Sequence, residues 1–333
     1  MAKIAVIGAG SWGTTFAKIL ADAGNDVTIW ARRADIVEEI NDEHRNGDYL
    51  PGIQLPESLK ASTSVAEVID TADQVYLAVP SQTLRANLQE WGSLLPKHAI
   101  LVSLMKGVEK DTGLRMSEVI ADVIGWPTAQ IVVVSGPNLA LEIANEEPAA
   151  SVAASSSKAS ALAVAKAASN SYFTSFTNGD VIGTEFGGIL KNLIAVAIGI
   201  VNGVGYGQNT KASIMTRGLA EISRFAVAYG AKPSTMVGLA GLGDLIATAE
   251  SPLSRNHRAG EMLGKGYTKK EVLKRMSQTA EGLASVAPVL QLAAEKGVSM
   301  PIVEQVNLVI EGKMNPRDIA PHLTHESDQP QGE

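Results

Sequence analysis

Two lysines, an aspartate and an arginine stand at unusual places in this sequence. Lys191 lies in "LKNLIAVAIGI", an otherwise aliphatic stretch of helical spacing, with Asn192 beside it. Burying an ammonium is costly unless it is paired or put to use, although a lysine can also run its stem along a helix to water. Lys106 follows "AILVSLMKG", just past a strand end, where a cation can reach a ligand; most lone lysines at such places are only solvated. The stretch "GLAGLGDLIATAESPLSRNHRAGEML" leads through glycines to Asp244, Thr248, Ser254, Arg255 and Asn256. Ser254 or Asn256 is placed to cap a helix beginning near His257. An arginine at a helix start opposes the dipole unless an anion is shared there, and a phosphate would resolve that conflict. "SGPNLALEIA" (135–144) is a strand-to-helix turn containing Gly136 and Pro137. It either offers backbone N–H groups to a ligand or simply connects two elements.

A second chemistry opens the chain. In "MAKIAVIGAGSWGTTFAKIL", residues 3–7 read as a buried strand and residues 14–20 as the start of a helix. Between them and just inside fall Gly8, Gly10 and Gly13, spaced G-x-G-x-x-G. The first would allow a tight turn, the second would let a phosphate approach bare backbone, and the third would let helix and strand pack closely. The free N–H groups and dipole of the helix start favour an anion there. The motif alone is weak; its place after a strand and before a helix points to dinucleotide binding. NAD-preferring folds carry an Asp or Glu at the end of strand two. Here that strand runs out as Trp30-Ala31-Arg32-Arg33. Paired guanidinium groups suit a 2′-phosphate, unless both arginines are merely solvated. NADPH is the expected cofactor, with NADH as a second one the site could accept.

The elements that must position these residues follow from apolar patterning. Short β-like runs at 26–33, 72–80, 99–107 and 129–137, with weaker ones at 149–155 and 172–178, alternate with amphipathic stretches such as 36–46 and 82–91. That alternation implies a mostly parallel sheet with helices on both faces and ligands beyond the strands' carboxyl ends. After residue 178 no good strand appears. Helices are expected over 183–204, 211–230, 258–263, 269–276, 280–296 and 301–311, so the boundary between domains 1–180 and 181–333 falls near 178–181. The tail 324–333 is polar and reads as frayed.

Gross composition narrows the class. The chain has 333 residues, 45% hydrophobic and 19% charged, and two domains suit that length. A formal charge of −7 argues against a dedicated nucleic-acid or anionic-membrane surface. Cysteine is absent, which excludes disulfides, thiolate catalysis and cysteine zinc sites. The longest strongly apolar run, 193–201, falls short of the ~18 residues of a membrane span. A strand beginning at Lys3 leaves no room for a cleaved leader, so a cytoplasmic protein is expected.

Assembled in order, "GAGSWGTTFA", "LMKGVE", "SGPNLALEIA", "LKNLIAVAIGI", "GLGDLIAT" and "SRN" make the sequence resemble the bacterial NAD(P)-dependent glycerol-3-phosphate dehydrogenases over nearly its whole length. The resemblance implies an α/β Rossmann-type dinucleotide-binding domain followed by an all-α C-terminal domain, with the active site between them. It implies reversible reduction of dihydroxyacetone phosphate to sn-glycerol 3-phosphate, supplying glycerophospholipid synthesis. Position by position it makes Lys191 catalytic, and it puts Lys106 against both substrate and cofactor. Asp244, Thr248, Ser254, Arg255 and Asn256 fall in the substrate site with Gly136, the Arg255–Asn256 pair on the phosphate. Ser11, Trp12, Arg32, Arg33, Ala140 and Glu281 become cofactor contacts, joined by Arg255. Asn138 departs from the family, which usually has a small hydroxyl residue after Gly-Pro; a polar side chain is kept.

The side chains support that chemistry on their own terms. Hydride reduction of a ketone builds charge on oxygen, which must be stabilised and protonated. Without cysteine or an evident metal-ligand cluster, a lysine is the available acid, and no metal is expected. An ordinary lysine, near pKa 10.4, is a poor base at neutral pH. Burial and the charges of Lys106 and Arg255 should lower Lys191, while Asp244 opposes them and orients it. The nearest alternative is a related two-domain NADP reductase of a 3-hydroxy acid or ketopantoate, which would need a carboxylate site. A non-catalytic NAD(P)-binding sensor would have no reason to keep both lysines. The apolar helices of the second half could supply a homodimer surface.

Overall fold

The structure, a computed structural model, describes residues 1–276 and 280–319; the tail 324–333 lies outside them. The chain begins β1 (Lys3–Ile7), α1 (Ser11–Asp22), β2 (Asp26–Trp30), α2 (Ala34–Glu38), β3 (Lys60–Ser62), α3 (Val65–Ile69), β4 (Gln74–Leu77) and α4 (Leu84–Trp91). It continues β5 (Ile100–Ser103), α5 (Met116–Ile124), β6 (Ile131–Ser135), α6 (Ala140–Ala144), β7 (Ala149–Ala154), α7 (Lys158–Ala168) and β8 (Phe173–Asn178). Among the described residues these strands form one eight-stranded sheet in the order β3-β2-β1-β4-β5-β6-β7-β8. Every pairing is parallel except β6 with β7.

Strand order reverses between β1 and β4, the point at which open sheets of this kind bind ligands beyond the carboxyl ends. Gly8 follows β1 with φ +120°, and a methyl group on it would lie 2.7 Å from the Ala78 carbonyl oxygen. Gly13 packs α1 onto the turn so tightly that a Cβ would sit 1.8 Å from the Gly8 oxygen. Gly10 faces open space and is the N-cap of α1, with no side chain capping the helix. The three glycines therefore differ as the spacing predicts.

Helices fill the rest: α8 (Val181–Val204), α9 (Gln208–Ala228), α10 (Pro233–Met236), α11 (Asp244–Glu250), α12 (Arg255–Gly264), α13 (Lys269–Arg275), α14 (Glu281–Glu295) and α15 (Pro301–Ile310). Asp180 caps α8, accepting from the Gly183 N–H at 2.9 Å, and Gly205 ends it at φ +95°. α8 is the axis of this half, its Leu193, Ile194, Ile198 and Val201 wholly buried. By length and composition α8 could cross a membrane, but 83% of its most apolar window is buried inside the protein, as the core helix of a folded domain is.

Several expectations shift. β2 stops at Trp30, so Arg32 and Arg33 lie in the turn before α2. β3 has three residues, too few to show a period. β7 pairs antiparallel with β6, a direction its Ala- and Ser-rich run does not reveal in the sequence. α9 begins at Gln208, α12 begins at Arg255, and the glycine-rich approach winds into a wide helical turn (Leu239–Gly243) before α11.

Candidate active site

One carboxylate holds the centre. Asp244, the first residue of α11, is 1% exposed. Its Oδ2 accepts from Lys106 Nζ and its Oδ1 from Lys191 Nζ, each at 2.7 Å. Lys106 also donates to the Gly136 carbonyl at 3.0 Å, so the loops after β5 and β6 are fastened to α11. Lys191 donates as well to Thr248 Oγ1, one turn along α11, and that hydroxyl donates to Asp244 Oδ1 at 3.3 Å. α8 comes this close to the sheet because of Gly188: a Cβ there would lie 2.5 Å from Ser135 Oγ and 3.3 Å from Lys106 Cγ.

This setting lowers Lys191 to a pKa of about 8. Burial is the largest cause; Asp244 pulls the other way, and the positive charges of Lys106 and Arg255 add to the lowering. The result is an amine that can hold or release a proton near neutral pH. Glu281, opening α14, has its carboxyl pushed up by burial, with Arg255 first among the charges drawing it back down. The backbone N–H of Ser81, beyond β4, also favours its charged form.

The segment before α12 holds the remaining polar groups. Ser254, rather than Asn256, caps the helix: its Oγ accepts the His257 N–H at 3.2 Å. Arg255 is exposed in the first turn. Asn256 donates to Asn192 Oδ1 at 2.8 Å and accepts from Gly282 N–H at 2.9 Å, so α8, α12 and α14 converge on it. Asn138, two residues past Gly136, has both amide atoms buried without a partner among the described residues.

At the glycine turn, Ser11 Oγ donates to the Tyr49 carbonyl at 2.9 Å, and Trp12 sets its ring edge-on to Phe16. The Ala140 carbonyl accepts from Thr15 Oγ1 at 3.2 Å, fixing α6 beside α1. The two arginines after β2 differ. Arg33 is clasped by Asp35 and by Asp48, the latter at 2.7 Å. Arg32 is exposed and has no such partner among the described residues.

Comparison with known proteins decides the family. The profile for the NAD-dependent glycerol-3-phosphate dehydrogenase N-terminus matches residues 3–161, and that for its C-terminus matches residues 180–321. The chain belongs to this family. A glycerol-3-phosphate dehydrogenase [NAD(P)+] of Leifsonia xyli is 64% identical over 328 residues, covering 98% of this chain and 89% of that protein. Its counterpart in Streptomyces griseus is 56% identical, covering 93% of each chain. The crystal structure of a glycerol-3-phosphate dehydrogenase from Coxiella burnetii superimposes with a TM-score of 0.89 at 35% identity, covering 96% of this chain and 98% of that one. A ketopantoate reductase from Ralstonia eutropha shares the fold at TM-score 0.60 and 15% identity.

A dinucleotide fits what family membership requires. The bare helix start at Gly10 leaves room for a pyrophosphate, and Arg32 stands free beyond β2. Lys106, Lys191 and Thr248, the three groups bonded to Asp244, stand out in the sequence, whereas Asn192 and Gly188 do not. Asn192 was visible only as the polar neighbour of Lys191, and its partner Asn256 is 64 residues away.

Proposed function

We propose that this chain is an NADPH-preferring sn-glycerol-3-phosphate dehydrogenase, reducing dihydroxyacetone phosphate at the Asp244 centre. The observation that carries the reading is one buried carboxylate clasping two ammonium groups where the sheet's carboxyl edge meets α8. Residues 1–180 hold the cofactor: Gly8, Gly10, Ser11, Trp12 and Gly13 its pyrophosphate side, Arg32 its 2′-phosphate, with Ala140 and Glu281 bordering it. Residues 181–333 supply the reacting side chains. The reduced nicotinamide, when bound, supplies the hydride.

Lys191 polarises the ketone, stabilises the charge growing on its oxygen and passes that oxygen a proton. Asp244 and Thr248 aim the amine and limit its freedom to turn away. Lys106, held to the Gly136 carbonyl, keeps a second positive charge beside the reacting group. Arg255 and Asn256 take the phosphate at a helix start whose dipole favours an anion. Asn138 offers the substrate an amide with no competing partner. In oxidation the neutral Lys191 accepts the hydroxyl proton. We further propose a cytoplasmic enzyme that feeds glycerophospholipid synthesis and pairs as a homodimer through its helical half.

Consumption of NADPH by the purified protein tests the reading. Dihydroxyacetone phosphate should support turnover, dihydroxyacetone should be far poorer, and ketopantoate should give none. Turnover of ketopantoate in preference to the phosphorylated ketone would replace this reading with the reductase alternative.

A further inference from the structure

Behind the Asp244 centre, the end of α8 and the starts of α9 and α12 enclose a second cleft of about 520 Å³. Its size is that of a small-molecule site. None of the groups bonded to Asp244 lines it. Asn202 of its wall lies eleven residues beyond Lys191, about 16 Å along α8. His257, another wall residue, is turned about 200° round α12 from Arg255. Ala249 lines the cleft one residue past Thr248, so α11 divides it from the proposed substrate site.

The wall is built for an anion. Lys211, in the first turn of α9, donates to Asn202 Oδ1 at 2.6 Å and has no carboxylate partner among the described residues. Arg258 of α12 makes no side-chain hydrogen bond or ion pair among the described residues. α9 starts at Gly207 without a capping side chain, and neither α9 nor α12 carries an acidic residue in its first turn. Two helix starts therefore bring uncompensated positive ends to the cleft. An observation independent of charge points to a ligand: His257 is 8% exposed, and its buried Nδ1 has no hydrogen-bond partner among the described residues. A buried imidazole nitrogen left unbonded is costly, and a group held in the cleft would satisfy it. The acids narrow the class. Glu261 is held by Lys265 at 2.6 Å. Glu250, at the end of α11, makes no ion pair among the described residues; it repels a polyanion but can accept from a hydroxyl.

The geometry points to a second ligand site in this cleft, taking a small phosphate monoester that carries a hydroxyl group. Lys211 and Arg258 meet the phosphate with charge-assisted bonds, and His257 gains the partner it lacks. Glu250 accepts from the hydroxyl. The site lies apart from the one where substrate is reduced, and its existence does not depend on which ketone that is.

Inorganic phosphate and two monoesters, methyl phosphate and glycerol 2-phosphate, serve as probes of the full chain saturated with NADPH. Arg255→Ala disables the phosphate grip proposed for the substrate and should still bind glycerol 2-phosphate in calorimetric titration. Adding Lys211→Met and Arg258→Met to it should weaken that binding by about tenfold or more. Loss of all binding in Arg255→Ala alone, or an undiminished affinity in the triple variant, would overturn the site. Methyl phosphate, which has no hydroxyl, should bind about threefold or more weaker than glycerol 2-phosphate, and parity would overturn the assigned ligand class. Wild-type protein answers even if no variant folds. Inorganic phosphate should slow acetylation of the Lys211 amine by about threefold or more, read by mass spectrometry, and leave exposed Lys3 unchanged. Equal rates at Lys211 with and without phosphate would overturn the site as well. Failure of wild type to reduce dihydroxyacetone phosphate would instead remove the substrate reading and leave these results standing.

Discussion

In the proposed mechanism Lys191 is an acid in one direction and a base in the other, and its surroundings bring both states within reach. Burial lowers it from 10.5 to about 8, with Lys106 and Arg255 adding to the effect and Asp244 restraining it. The ammonium form, needed for ketone reduction, is lost as pH rises through about 8; the amine, needed for oxidation, is gained over the same range. Reduction kcat should therefore fall above pH 8 while oxidation kcat rises towards it, and steady-state rates in both directions across pH would show this. Inflections near 10.5 in both profiles would mean the amine is not buried in the working enzyme. The two arginines after β2 make a second residue-scale contrast. Arg33 is already neutralised by Asp35 and Asp48, whereas Arg32 is exposed. Arg32→Ala should weaken NADPH by about tenfold or more, as loss of a charge-assisted bond of about 1.5–3 kcal/mol implies, and leave NADH nearly unchanged. Arg33→Ala should do less to the NADPH/NADH ratio. Titration of both cofactors into each variant distinguishes the two, and an effect confined to Arg33 would reverse the assignment.

At the scale of elements, the start of α12 is where stability and chemistry are joined. Ser254 supplies the cap, and Arg255 and Asn256 occupy the first turn behind it. Ser254→Ala should cost about 1 kcal/mol of stability and raise KM for the phosphorylated ketone, because a frayed first turn no longer presents its polar pair together. Denaturant titration and initial rates measure both; a stability loss with unchanged KM would separate the cap from phosphate binding. The glycine turn was legible in the sequence because each glycine there answers a local need. The positive φ of Gly8, the open approach at Gly10 and the contact of Gly13 with the Gly8 carbonyl fall within six residues, and only the abutment on Ala78 is long-range. β1, β2, β4, β5 and β6 were legible as apolar runs and β7 and β8 more weakly, whereas β3 was not read as a strand. The direction of β7, the brevity of β3 and the wide turn before α11 were not, since pairing partners and ladder geometry leave no periodic trace in so few residues. The clasp on Arg33 was half legible: Asp35 lies two residues on, whereas Asp48 lies 15 residues on.

Over the whole molecule, long-range contacts tie the sheet to the helices, and these were the least legible part. Asn192 with Asn256 and Lys106 with Asp244 join residues far apart in the chain. A further tie lies away from the chemistry. Arg115, before α5, pairs with Glu185 of α8, and Glu185 accepts from the Ser117 N–H at 3.0 Å and from Ser117 Oγ at 2.5 Å. Glu185 is 4% exposed, and Arg115 lies over the Phe186 ring. Without Glu185 the buried Arg115 keeps Glu118 and Ser117 as partners, so Glu185→Ala should lower unfolding free energy by about 1.5–3 kcal/mol, the worth of the lost charge-assisted bonds. Chemical denaturation would detect this directly, and a loss below about 1 kcal/mol would show that the pair holds little.

The central claim is that the buried amine of Lys191, aimed by Asp244, performs the proton transfer that accompanies hydride reduction. Single-turnover reduction of dihydroxyacetone phosphate by Lys191→Ala, with NADPH affinity measured on the same preparation, addresses it most directly. The chemical step should fall by about 10³-fold or more, with NADPH binding within about twofold of wild type. A variant that still reduces the ketone within about tenfold of wild type, its cofactor site intact, would contradict it.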